Sequence, residues 1–472
     1  MNHDLKPYPE YKDSGVPWLG ELPAHWEVLP NRALFAEVKD RNHPGEQMLS
    51  VTITKGVILQ QALLANSSKK DSSNEDKSAY KLVCPRDIAY NKMRAWQGAI
   101  GISDFRGIIS PAYVVVRLRN NQDPRYFHHL YRTPMFAKEA ERWSYGITSD
   151  MWSLRPEHFK MIYTALPPLP EQSAIVRFID HFERRINRLI RDKRRLIELL
   201  NEHKQAIIHR AVTRGIDPNV RLKPSGVEWL GDVPEHWQIT RGKFVGRLFS
   251  TPSITDAELT EQSDENAMYL KVSDLSGLDR SLSVQQSSLY VRSSQTAAGN
   301  TLRPWLVFPK RGGAIFTNKV GIVKTKCFLD PNLMGWEISD GFEPMFVAMV
   351  LKARTLSDIA DISSVPQINN KHINPLPLPA PPIREQRAIL AELDDSLADV
   401  NSVIEGIERE ISLLREYRTR LIADVVTGKL DVRGVELPKL DETEMVEDRE
   451  IGEEAEVDET GYTEEIADGE EQ

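Results

Sequence analysis

Two short basic stretches carry the side chains most suited to chemistry. One reads Asn91-Lys92-Met93-Arg94 and the other Lys310-Arg311-Gly312-Gly313. Lysine and arginine can hold phosphates, and with asparagine and glutamine they can read base edges in a major groove. Neither stretch is a phosphate-binding P-loop, because the second has glycines without the GxxxxGK[ST] spacing. No GxSxG nucleophile elbow or HExxH zinc helix occurs. No Asn-Pro-Pro-aromatic run or Gly-rich cofactor loop supports methyl transfer. His128, His129 and His158 have no Cys or carboxylate at ligand spacing, and Glu75-Asp76-Lys77 lies in a Ser/Asn/Lys loop rather than a nuclease site. Cys84 and Cys327 are too few for a disulfide framework or a Cys-based zinc site. The expectation is a binding protein with no catalytic, cofactor or metal site of its own.

Two long helices must position these stretches. After Pro167-Pro168-Leu169-Pro170-Glu171-Gln172 no Gly or Pro appears until Gly215. Pro170 suits the first helical position and Glu171 the positive helix N-terminus. Apolar residues at Ile175, Ile179, Phe182, Ile186, Leu189, Leu196, Leu200 and Ile207 alternate spacings of four and three, a coiled-coil seam. Such a rod over 170–213 would be roughly 60 Å long. A twin over 384–427 follows Pro381-Pro382-Ile383-Arg384-Glu385-Gln386, at an offset of 214. Its seam is Ile389, Leu393, Val400, Val403, Ile407, Leu414, Tyr417 and Leu421. The first rod carries a balance of +4 and the second −4, which favours pairing within the chain. Connectivity favours an antiparallel pair. Lys193 and Glu410 interrupt the seam and are expected to snorkel to solvent, with register-setting as the lesser alternative.

A second repeat places Ser14-Gly15-Val16-Pro17-Trp18-Leu19-Gly20 and His25-Trp26 against Ser225-Gly226-Val227-Glu228-Trp229-Leu230-Gly231 and His236-Trp237, at an offset of 211. These residues read as a hydrophobic cluster bracing a turn. The second unit ends where another such segment would begin, and that segment opens the chain instead. The order is therefore cyclic, and residues near 10 and 438 should be neighbours. Between the repeats lie two dissimilar α/β segments with mixed sheets. Strand-like runs include Met48–Ile53, Ile109–Arg117 and Tyr269–Leu275, and helical runs include Pro124–Arg142 and Phe342–Ala353. The predicted fold is α/β: two globular domains separated by long antiparallel coiled-coil helices, an internal duplication with cyclic pseudo-two-fold symmetry. The expected segments are 1–26, 27–165, 166–237, 238–380, 381–438 and a tail, 439–472.

Composition is that of a soluble globular protein, with 40% hydrophobic and 27% charged residues among 472. There is no 18-residue apolar run and no signal-peptide pattern near the start, so a cytoplasmic location is expected. The formal charge of −9 is set by residues 441–472, whose sixteen acidic residues and one Arg leave a mildly basic body of +6. That tail is expected to be disordered.

Taken together, PPLPEQ and PPIREQ before long helices, the paired SGVxWLG segments, NKMR…G…IG…SPAY and KRGGAIFTNK…DPNLM resemble the specificity subunit of Type I restriction–modification enzymes. The resemblance covers nearly all of residues 9–438 and omits the acidic tail. It implies a non-catalytic chain whose two target-recognition domains read the halves of an asymmetric bipartite site in double-stranded DNA. The helix pair would set the spacer and bind two modification subunits. Those subunits carry S-adenosylmethionine and methylate adenine, and two restriction subunits add cleavage driven by ATP with Mg2+. Under this reading Lys92, Arg94 and Gln97 are the first candidates for DNA contact in domain one, and Lys310, Arg311, Asn318 and Lys319 in domain two. Arg142, Tyr145, Ser149, Gln367, Asn369 and Lys371 come second, on polar loops just before the Pro-rich helix entries. Asn91 and Asn318 could instead close turns. A coiled-coil adaptor with two protein-binding domains and an orphan nuclease are the alternatives.

Overall fold

The computed structural model describes residues 5–65, 76–146, 152–262, 267–278, 281–292, 298, 303–361 and 365–438. Ser149 and the acidic tail lie outside them. The chain forms two compact units, one from residues up to 193 with those from 409 onward, the other from 194–408. Two long helices, Leu169–Arg214 and Ile383–Val426, each contribute one half to each unit. No helix among the described residues is long and apolar enough to cross a membrane.

The helices pair antiparallel. In the first unit the core joins Ile175, Val176, Phe178 and Ile179 of one to Leu421, Val425 and Val426 of the other. Phe182 meets Tyr417 edge to face at 5.6 Å, and Arg418 donates to Asn187 Oδ1 at 3.0 Å. In the second unit Ile208, Ala211 and Val212 share a core with Ile389 and Leu393, and Lys204 donates to Asn401 at 2.6 Å. Lys193 and Glu410 do not simply snorkel; they form an ion pair with each other. The seam also departs from the expected heptad. Leu196, Val403 and Tyr417 are 44%, 50% and 46% exposed, while Ile190, Ile208, Ile404 and Ile411 are buried in their stead. A straight helix of 3.6 residues per turn drifts about 20° per heptad against a 3.5 repeat, so the buried stripe slips by one residue along the rod.

Each unit carries the same four-stranded antiparallel sheet. In the first the order is Phe35–Val38, Tyr113–Leu118, Ile88–Asn91, Ile100–Ile102; in the second it is Gly246–Phe249, Leu333–Ile338, Trp305–Pro309, Gly321–Val323. The strands next to each are built differently. The first unit has two hairpin-like pairs, Leu49–Thr52 with Gly56–Leu59 and Lys81–Val83 with Gly107–Ile109. The second has a further four-stranded sheet with a parallel pair, Ala267–Leu270 beside Phe328–Leu329. The run Tyr269–Leu275 is not one strand: it turns into a 3-10 helix at Val272, where Asp274 accepts the Lys271 amide at 2.7 Å. Likewise 124–142 is two helices, because Thr133 caps a new one that opens at Pro134.

The duplicated connecting parts share one clamp. Trp26 donates to Glu171 Oε1 at 2.9 Å, and His25 Nε2 lies 2.8 Å from Glu171 Oε2. Trp237, His236 and Glu385 repeat these bonds at 2.9 and 2.8 Å. The following glutamine is a second bracket. Gln172 accepts the Asp123 amide and donates to Pro167 O, and Gln386 accepts the Glu343 amide and donates to Pro381 O. Each bracket ties a long-helix entry to the first turn of a globular-domain helix. Cyclic closure is met in the first unit. Lys6 bridges Asp431, Tyr11 donates to Lys429 O at 3.1 Å, and Arg433 lies over the Tyr8 ring at 4.9 Å.

Candidate nucleic-acid interface

The two basic stretches occupy the same place in their sheets. In the first unit strand Ile88–Asn91 runs into a turn at Lys92–Arg94 and a 3-10 helix, Ala95–Gln97. In the second, Trp305–Pro309 runs through Lys310–Gly312 into a 3-10 helix, Gly313–Thr317. Each loop is tied at its first lysine to the segment that leads toward the long helix. Leu154 N–H donates to Lys92 O at 2.8 Å, and Ile368 N–H donates to Lys310 O at 2.9 Å. Lys92 and Lys310 are therefore structural equivalents, although their surroundings share little sequence.

In the first unit the turn is closed by Asn91, whose Oδ1 accepts the Met93 amide at 2.9 Å. Arg94 reaches Gln97 Oε1 at 3.4 Å, and Gln97 is exposed. Trp96 donates to Met93 O at 2.8 Å and meets Trp152 edge to face at 5.6 Å. Arg142 ends the helix Pro134–Arg142 beside Glu139, and Tyr145 is 58% exposed with its ring 5.0 Å from His158. The Tyr145–Ser153 bridge and the Leu154 tether thus bring Tyr145 to the same region as Lys92. A further cation joins them. Lys81 donates to Tyr113 O, next to Asn91 in the sheet register, and bridges Arg41 through the backbone. Burial, then the charges of Lys92 and Arg41, lowers the Lys81 pKa, with Glu37 opposing.

In the second unit Arg311 is exposed and bridges Gln367, while Gly312 N–H donates to Pro366 O at 2.9 Å. Lys310 donates to Ser250 at 2.8 Å and Lys319 to Ser276 at 2.6 Å, so each ammonium has a neutral partner. Burial lowers the Lys310 pKa, with Asp330 opposing. Lys371 lies 3.2 Å from Asp361, and Asn369 caps the short helix Asn370–Ile373, its N–H donating to His372 Nδ1 at 3.0 Å. Asn318 is different. Its amide nitrogen donates to Lys352 O at 2.9 Å, its oxygen accepts the Leu356 amide at 3.0 Å, and its backbone is left-handed at φ 48°. That side chain closes a turn.

Another cluster could not be read from spacing. His129, Asp180 and Glu183 offer ligand atoms within 4.8 Å of one another. Arg125 already stands 3.7 Å from Asp180 and supplies positive charge there.

The duplicated scaffold thus holds two differently built loops at equivalent positions, a paired-domain architecture. The chain is similar in sequence to specificity subunits of type I restriction enzymes. It is 22% identical to the MjaVIII specificity subunit of Methanocaldococcus jannaschii over 383 residues, covering 76% of this chain and 84% of that one. It is 20% identical over 448 residues to a chain of the same organism named "Putative type I restriction enzyme MjaX specificity subunit", covering 88% and 96%. A chain from a solved type I restriction–modification system shares the fold, with a TM-score of 0.63 at 15% identity over 87% of this chain and 99% of that one. No family model matches.

Proposed function

We propose that this chain is the DNA-specificity subunit of a type I restriction–modification complex. Its target-recognition domains, 27–165 and 238–380, each read one half of an asymmetric bipartite site. The observation that carries this reading is the pair of basic loops, tied alike through Lys92 O and Lys310 O to a repeated framework but walled by different side chains. Equivalent placement with different chemistry suits two half-sites of different sequence, with arginine and lysine on phosphates and base edges. The long helices set the spacer between the half-sites. Leu413 and Tyr417 in the first unit, and Leu199 and Val403 in the second, leave apolar area exposed on the rods where two modification subunits would dock. Adenine methylation with S-adenosylmethionine, and cleavage with ATP and Mg2+ by two restriction subunits, belong to those partners in the cytoplasm, and this chain is not catalytic alone.

The test is to map adenine methylation genome-wide in a host expressing the chain with its modification partner. The expected result is one interrupted, asymmetric methylated site that vanishes without this chain. Lengthening both long helices should change the spacer and leave both half-sites intact. Methylation independent of this chain, or DNA retention insensitive to salt, would favour the protein-binding adaptor instead.

A further inference from the structure

Phe316 stands on the 3-10 helix Gly313–Thr317 and is 58% exposed. A lone exposed phenylalanine needs no explanation by itself. Its setting supplies one. Ile315, the preceding residue, is fully buried and anchors the turn, so the next side chain points outward. Thr317 Oγ1 donates to Ala314 O at 2.6 Å, and Asn318 fastens the end of the turn to the backbone at Lys352 and Leu356. Gly312 and Gly313 have open space where a Cβ would stand, so a ligand can come close to the main chain before the ring. The flanking residues are the cations Lys310, Arg311 and Lys319. Among the described residues no ring or cation packs on Phe316. An apolar ring is thus held out in the middle of a basic loop, on a turn whose backbone is fastened.

We infer that Phe316 reads a thymine through its C5-methyl group in the major groove, within the half-site of the second domain. This rests on the reading of the chain as a DNA-specificity subunit. The thymine methyl is the apolar feature that base edges present in that groove, and phenylalanine is among the side chains that contact it. A wedge between base steps is the other use of such a ring on DNA. Insertion would not depend on the methyl group, so the deoxyuridine arm of the experiment below separates the two. The first unit has turned its aromatic to another purpose: Trp96, on the equivalent turn, is spent on Met93 O and the Trp152 ring. Methyl readout by this route therefore belongs to one half-site.

The experiment selects bound duplexes from a randomised library with the full-length chain at fixed salt, then repeats the selection with deoxyuridine replacing thymidine throughout. The wild type should prefer T at one position of one half-site. Removing the methyl should weaken that preference about four-fold, the value of one buried methylene-sized group. Phe316→Ala should be indifferent to the methyl at that position and unchanged elsewhere. Phe316→Leu, which keeps an apolar contact and guards against misfolding of the alanine variant, should restore part of the preference. The inference is overturned if the wild type selects a site but ignores the methyl, or if Phe316→Ala keeps the full difference. Selection of no sequence at all would overturn the specificity-subunit reading itself, and this inference with it.

Discussion

Trp26 and Glu171, 145 residues apart, are joined by a hydrogen bond of 2.9 Å from the indole N–H to Oε1. The same carboxylate takes Tyr8 Oη–H at 2.5 Å and faces His25 at 2.8 Å. Burial and Glu171 together raise the Tyr8 pKa, so the phenol stays a donor. One buried acid thus gathers the first segment, the long-helix entry and, through Tyr8 and Arg433, the last folded segment.

Glu171→Gln should therefore destabilise the first unit by about 1.5–3 kcal/mol, the usual worth of hydrogen bonds to a charged group. Glu385→Gln should cost less, because Glu385 is 26% exposed against 5% for Glu171 and the described contacts give it two partners, Trp237 and His236. Urea midpoints of the two variants check this. Equal losses would mean that Tyr8 and burial add nothing.

Asn318→Ala should lower the stability of the second unit by about 1–3 kcal/mol, since it orphans the Leu356 amide and the Lys352 carbonyl and places alanine at positive φ. Any loss of DNA affinity should track that destabilisation and be spread over the second half-site. A stable variant that loses preference at a single base pair would return Asn318 to the base-reading set.

The duplication, the paired helices and the cyclic closure were legible because repeats and apolar spacing are written along the chain. The Glu171 clamp was not, since PPLPEQ and His25-Trp26 each read as local features, and only folding brings one motif onto the other. The slipped seam was hidden for a different reason. Val403 and Ile404 are both apolar, and the choice between them depends on accumulated helix drift rather than on residue type. Asn318 was ambiguous in sequence because asparagine both reads bases and closes left-handed turns. His129 and Asp180 meet across two helices, which no ligand-spacing rule anticipates.

Arg94→Ala and Arg311→Ala should each weaken binding to one half-site only. If the lost contact is to a phosphate, the slope of log affinity against log salt should fall by about 0.9. If it is to a base edge, discrimination at one base pair should fall instead, with the salt slope nearly kept. Titrations of the selected duplex at several salt concentrations separate the two. Affinity unchanged at every salt concentration would remove that arginine from the interface.

Acid should destabilise the first unit through His128. Its ring packs against Gly56 and Gly101, and its Nδ1 accepts the Ile102 amide at 3.2 Å, which fixes the neutral form with the proton on Nε2. Burial first, then the charges of Arg132, His129 and Arg125, pushes its pKa well below the ordinary 6.5. The unfolded chain therefore takes up a proton below about pH 6.5 that the folded chain refuses. The stabilising contribution is complete above that pH and is lost as pH falls toward the folded value, by at most about 1.4 kcal/mol per pH unit. His128→Gln, whose side-chain oxygen can still accept from Ile102, removes the titrating group. Denaturation from pH 7.5 down to pH 5.5 should show the wild type losing stability faster than the variant. Parallel slopes would mean that protonation of His128 is not what acid acts on.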